Sequence, residues 1–354
     1  MNNVDLAKKL ASEISSLQTK FTALEESTRL TAVRDSVEDT QTTINGFAEK
    51  VKGLRSRGYV FGKGFEERAL NLVKKWNGLL PNINKQIEQQ ANQLQTGITP
   101  LRPRMTQLAS LSKNQLQAHG LLNQVKPQVE ALEAQANASR NQIYGMFDSL
   151  RSEVSQFSNE IRKIDWMLTQ LSQASFPLLA TESGVMAVKA VWAKTGEEKK
   201  GDPEGVLYLT DQRILFEQKE EVATQKVLFI TTKKEKLQKL LVDVPVMVVK
   251  KLETSKQGLL KNEDHIKISF ESGAPLSNAH FHIWQPCEEW QGLINRAKAK
   301  DFEADRAVEI DAQTAAKLKS APSQCSSCGG NINQVILRGQ DSIKCEFCGF
   351  VIRL

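Results

Sequence analysis

The sequence predicts a multidomain protein of mixed α and β class: an N-terminal long-helix coiled coil or bundle, a β-barrel or sandwich closed by a helix, and a small cysteine-paired module. Three observations predict it. Apolar residues fall three and four apart almost to residue 176, β-branched runs of strand length follow Pro177, and four of the five cysteines lie within residues 325–354. At roughly 100–200 residues per domain, 354 residues exclude a single small domain, and 40% hydrophobic content excludes wholesale disorder. No run approaches the roughly 18 consecutive apolar residues of a membrane span. Residues 1–10 lack a signal-peptide pattern, so the expected location is cytoplasmic, peripheral at a membrane if membrane-associated at all. The net charge of +6 is spread thinly, with 22 basic and 17 acidic residues in 1–176 and 19 and 17 in 177–300. That distribution argues against a module built to wrap nucleic acid.

In the first region, 1–176, Leu6, Leu10, Ile14, Leu17, Phe21 and Leu24 precede a second series of Leu30, Val33, Val37, Ile44, Phe47, Val51 and Leu54. These spacings form a helical seam, with Thr40 filling one position and the Leu24 to Leu30 junction reading as a stammer. One helix over 4–55 is expected, about 75 Å long at 1.5 Å per residue. Gly58, Gly62 and Gly64 predict a turn at 57–64. Leu70, Val73, Trp76, Leu80, Ile83, Ile87 and Leu94 carry the seam into a second helix, kinked at Pro81 and ended by 96–100. Further helix runs from Pro103 towards Pro177, interrupted at Pro127. The region offers no cysteine and no paired carboxylates beside a histidine. It reads as packing surface for self-association or protein partners, closing within one chain or between chains.

The middle region, 180–300, changes period. Strands are expected at 185–193, 206–210, 213–218, 226–231, 244–251, 265–270 and 279–284, each bounded by turn residues. Pro286 then opens a helix with Trp290, Leu293, Ile294 and Ala297 on one face and Glu288 and Glu289 near its positive end. The run Glu204-Gly205-Val206-Leu207-Tyr208-Leu209-Thr210-Asp211-Gln212-Arg213-Ile214-Leu215-Phe216-Glu217 resembles the second and third strands of GRAM domains and related PH-like domains. The Pro286-Cys287-Glu288-Glu289-Trp290 helix resembles their C-terminal helix. The resemblance implies a PH-like fold and a non-catalytic module that docks lipid headgroups or proteins. The sequence departs from phosphoinositide-binding PH domains in mixing Glu197 and Glu198 with Lys194, Lys199 and Lys200, and in lacking an Arg over 206–210.

Lys226, Lys233, Lys234, Lys236, Lys239, Lys250 and Lys251, with Lys256 and Lys261, meet only Glu235, Asp243 and Glu253 within 226–261, a local charge of +6. Lysines near an anionic surface contribute about 1 kcal/mol each, which makes these the candidate surface for an anionic membrane lipid. The plainer reading is a solvated sheet face. His280 and His282 alternate on one strand and so share a face. Without a third ligand nearby in sequence they read as polar surface, and Cys287 reads as a packed thiol.

Residues 301–322 read as a helix and linker. In 323–354, Cys325-Ser326-Ser327-Cys328 and Cys345-Glu346-Phe347-Cys348 stand sixteen residues apart, the spacing of a four-cysteine metal site. Gly329 and Gly349 follow the pairs where a knuckle turn needs a positive φ, and 333–337 with 342–344 are the expected hairpin. The segment resembles zinc ribbons. Four thiolates fill a tetrahedron, so one structural Zn2+ on Cys325, Cys328, Cys345 and Cys348 is expected to fold the tail and perform no chemistry. No phosphate loop, nucleophile elbow or catalytic cluster occurs, so neither an enzyme nor a small-molecule substrate is expected. The expected function is a non-catalytic adaptor or scaffold that docks to a membrane surface or protein partner. The alternative is a nucleic-acid-associated zinc-ribbon factor, opposed by six basic against seven acidic residues in 301–354.

Overall fold

Helices occupy the first half of the chain in the computed structural model, which describes residues 3–111, 114–227 and 230–354, the side chains of 3, 4 and 221–235 excepted. They are α1 (Asn3–Ser27), α2 (Thr31–Asn45), α3 (Phe47–Ser56), α4 (Phe65–Ile98), α5 (Leu101–Ser110), α6 (Gln115–Gly145) and α7 (Asp148–Ser172). The single helix expected over 4–55 is therefore three helices. Leu30 takes a left-handed φ of 53°, and Gly46 separates α2 from α3. The reason is geometric. At about 100° per residue, the six positions from Leu24 to Leu30 would rotate Leu30 roughly 120° off the seam. The break lets Leu24 and Leu30 both be buried, at 2% and 4% exposure. Pro127 does not interrupt α6, and Pro81 lies inside α4.

The chain forms two compact units, 1–48 with 67–158 and 49–66 with 159–354. In the first, the predicted seam closes within one chain: Leu17, Val33, Ile44, Ile83, Leu94, Leu122, Val129 and Ile143 are all buried. Each such side chain contributes about 1.5–3 kcal/mol relative to exposure. Thr40 fills its position as expected, buried with its hydroxyl donating to Ser36 O at 2.7 Å.

The second unit is built on seven antiparallel strands: β1 (Gly184–Trp192), β2 (Glu204–Thr210), β3 (Arg213–Val227), β4 (Ile230–Pro245), β5 (Val249–Gln257), β6 (Glu263–Phe270) and β7 (Asn278–Ile283). Their order is β4-β3-β2-β1-β7-β6-β5. A closing helix, α8 (Cys287–Ala299), packs on β5 and β6 with Trp290, Ile294 and Ala297 buried. The buried Trp290 indole donates to Gln285 Oε1 at 2.8 Å, so its polar edge costs nothing. A meander of seven antiparallel strands with one C-terminal helix is the PH-like sandwich that the sequence resemblance implied. Gly205 is required by close approach, because a Cβ there would meet Glu217 O at 2.0 Å.

Two strands differ from expectation. The segment expected as a separate strand at 226–231 belongs to the two ends of one long hairpin, in which β3 and β4 continue to the Val227↔Ile230 pair. The run expected at 244–251 is divided by a 3-10 turn at Val246–Val248, which takes the chain from β4 to β5. The turn at 57–64 forms as expected and docks within its unit: Ala307 N donates to Val60 O at 2.7 Å, and Phe61 lies 5.3 Å from Phe302, ring to ring.

Beyond α8 come α9 (Ala312–Ser320), capped by Asp311, and the hairpin β8 (Ser342–Lys344) with β9 (Val351–Arg353). Residues 333–337 do not form the hairpin. Leu337 bridges Leu179 instead, Ala180 N donates to Ile336 O, and Arg338 N donates to Leu178 O, both at 2.9 Å. This pairing ties the cysteine module to the approach to β1.

Candidate metal centre and docking surface

Two knuckles of identical design bring the four cysteines together. In each, the glycine after the pair turns back, with Gly329 N donating to Cys325 O at 2.8 Å and Gly349 N to Cys345 O at 2.9 Å. Both glycines sit in the left-handed region, φ 71° and 76°, where a β-carbon would be strained. Cys325 Sγ lies 3.7 Å from Cys348 Sγ and Cys328 Sγ 3.7 Å from Cys345 Sγ, and all four sulfurs lie within 4.8 Å of one another. The amides of Cys348 and Phe347 lower the Cys345 thiol to about 7. Cys328, although the Gly330 amide favours its thiolate, is pushed up to about 12 by contact with the other sulfurs. Four thiolates so close repel one another unless a cation sits among them, so the cluster fits a metal ion and the sequence expectation of a closed four-sulfur site. Beneath it Ile343 and Ile352, with Ile332 and Leu354, form a core of a few side chains.

The described lysines of the predicted surface lie on two strands. The side chains of Lys226, Lys233 and Lys234 lie outside the described residues. Lys236 and Lys239 are exposed on β4, while Lys250 and Lys251 are exposed on β5, at opposite ends of the strand order. Lys251 Nζ meets Glu253 at 2.6 Å, and Lys256 is shared by Asp264 and Glu288. Sequence reasoning missed the tip of the β5–β6 hairpin: Leu259 is fully exposed and Leu260 84% exposed, between Gly258 with φ 83° and Lys261 with φ 51°.

His280 is a correction. It is buried, not surface, and the structure adds His265, a histidine that sequence reasoning left unassigned. His265 stands directly opposite His282 in the β6–β7 register, and the two rings stack 4.7 Å apart. His265 Nδ1 lies 3.1 Å from His280 Nε2, His280 Nδ1 lies 2.6 Å from Gly196 O, and His282 Nδ1 lies 2.8 Å from Glu198 Oε2. Burial first, then the neighbouring imidazoles, holds His265 below the ordinary histidine range, and burial does the same for His280. Cys287 is the packed thiol expected, its pKa raised to about 11 by burial.

Two buried carboxylates organise the β2–β3 end of the sheet. Glu182 accepts both arms of Arg213, Nε at 2.9 Å and Nη2 at 2.6 Å, with the Thr210 hydroxyl at 2.6 Å and Leu179 N at 2.7 Å. Burial pushes the Glu217 carboxyl up, but donors from Ser175, Gln238 and Lys219 outweigh it and leave the pKa lowered. Spacing gives no sign of either cluster, because their members come from separate strands and turns.

No protein-family model matches the chain, and no curated protein matches it. Among solved structures it is similar to the Vps36 N-terminal PH domain, at 13% identity and a TM-score of 0.22 over 36% of this chain and 94% of that one. It is also similar to the DH/PH domains of p115-RhoGEF, at 14% identity and a TM-score of 0.20 over 84% of this chain and 95% of that one. The PH-like description rests on the strand order and closing helix rather than on these likenesses.

Proposed function

We propose that the protein is a non-catalytic adaptor that docks on anionic membrane surfaces through the tip of its PH-like domain. The helical unit serves assembly or a protein partner, and the four cysteines hold one structural Zn2+. The observation that carries the reading is the β5–β6 tip, where two leucines project into solvent beside the exposed Lys261. A buried leucine contributes about 1.5–3 kcal/mol and a lysine at an anionic surface about 1 kcal/mol, so apolar insertion and charge act together there. Glu182 and Glu217, the deeply buried carboxylates, are engaged by protein donors, a structural use that supports a docking module over an enzyme.

Flotation with neutral phosphatidylcholine vesicles and with vesicles containing phosphatidylserine tests the reading. The wild type is expected to float with the anionic vesicles at physiological salt. Leu259→Asn with Leu260→Asn is expected to lose at least tenfold in partitioning, and Lys236→Glu with Lys239→Glu a smaller factor that grows as salt is lowered. A wild type that stays with the soluble fraction on both vesicle types overturns it.

A further inference from the structure

The hydrogen-bond chain through the three β-domain histidines has a directional consequence. The Gly196 carbonyl can only accept, so His280 Nδ1 carries the proton and donates to it at 2.6 Å. A neutral His280 then presents Nε2 as an acceptor, which makes His265 Nδ1 the donor across 3.1 Å. That leaves His265 Nε2 as a bare lone pair. The atom is buried without a hydrogen-bond partner in a side chain 2% exposed. Its nearest carboxylate oxygen, Glu263 Oε2, is 3.8 Å away, beyond hydrogen-bond reach.

We propose that His265 Nε2, His282 and Glu198, with Glu263 in reach, form a second metal site that takes a divalent transition-metal ion. The ligand atoms of Glu198, His265 and His282 all lie within 4.8 Å of one another. Bonds of about 2.0–2.2 Å from imidazole nitrogen and carboxylate oxygen bring such a set together with small movements, mostly of Glu198 on its exposed loop. The His280 to His265 contact is the outer-sphere hydrogen bond that fixes a ligating imidazole's tautomer and direction. Glu198, His265 and Glu263 line a polar cleft of about 500 Å³, where Glu197, Asp202 and Glu204 offset the cation repulsion of Lys199 and Lys200. Two imidazoles with one or two carboxylates suit Zn2+, Co2+ or Ni2+ better than Ca2+ or Mg2+, and they leave positions open for solvent or a ligand. This site is independent of the sulfur cluster and of the membrane reading.

The test uses the full chain with its cysteine site already loaded with Zn2+, titrated with Co2+. Trp284 stacks on His282 at 4.4 Å, so a paramagnetic ion held there quenches tryptophan fluorescence. One further ion per chain is expected, with saturable quenching and without the thiolate-to-cobalt absorption of a sulfur site. Glu198→Gln, on an exposed loop where folding is not at stake, and His282→Gln are each expected to weaken binding at least tenfold. Uptake of no ion beyond the cysteine site, or equal affinity in both variants and the wild type, overturns the proposal.

Discussion

The cysteine cluster and the histidine cluster are both sets of ligating atoms within 4.8 Å, yet the chain builds them in opposite ways. Each pair of cysteines is made by a few consecutive residues, a repeated knuckle whose glycine and backbone hydrogen bond are copied from one half to the other. The histidines meet only because β6 and β7 pair in the register that sets His265 against His282, and because the β1–β2 loop returns Glu198 and Gly196 to that spot. The cysteine chemistry is written in local spacing, and the histidine chemistry is written in strand register.

The largest expected effect breaks the local cluster. The core beneath the four cysteines is too small to hold itself, and a structural zinc ion contributes on the order of 10 kcal/mol to small metal-folded modules. Cys345→Ser is expected to abolish binding of the one proposed metal ion per chain and to strip amide-exchange protection from residues 323–354, while β1 to β7 keep theirs. Elemental analysis and hydrogen exchange read both. A cysteine module that stays protected without metal would show that its pairing with residues 178–180 supports it.

A smaller effect probes a site made by register. Glu182 is fully buried and holds the Arg213 fork, so Glu182→Ala leaves a largely buried guanidinium with only Asp243 and the Pro177 carbonyl. Breaking a buried pair from one side costs about 3–5 kcal/mol, to be read from urea midpoints. Removing both partners is expected to cost less than the sum of the single changes, because no lone charge is then stranded. Additive losses would show that the two residues act separately.

The same contrast describes what the sequence made legible. The closing helix, the knuckles and the burial of Leu17, Val33 and Trp290 follow from short-range periodicity and turn chemistry. The helix break at Leu30 did not, because a six-residue step fits either a supercoil slip or a left-handed residue, and packing chose the second. The continuation of β3 and β4 into one long hairpin was hidden because charged residues such as Lys236 and Lys239 on an exposed ladder look like a loop. The placement of Lys236 and Lys239 on β4 and of Lys250 and Lys251 on β5 likewise comes from strand pairing and not from spacing.

The smallest effect sharpens the comparison among buried carboxylates. Asp211 sits in the β2–β3 turn with its side chain 6% exposed, accepting from Ser183 N at 2.8 Å and from Arg306 Nη2 at 3.1 Å. Burial raises its carboxyl from 3.8 to about 6, against the lowering pull of the Ser183 amide and the Arg306 guanidinium. Between those values the native chain holds a proton that the unfolded chain has released. This group's contribution therefore falls as pH rises through the interval, and lowering the pH from about 7 to 5 restores about 1 kcal/mol. Asp211→Asn keeps an acceptor for Ser183 and cannot titrate. The stability difference between wild type and variant, from urea midpoints across that range, is expected to move in the wild type's favour on acidification. A flat difference would mean that Arg306 holds Asp211 ionised, which would place it with Glu182 among the carboxylates that protein donors saturate.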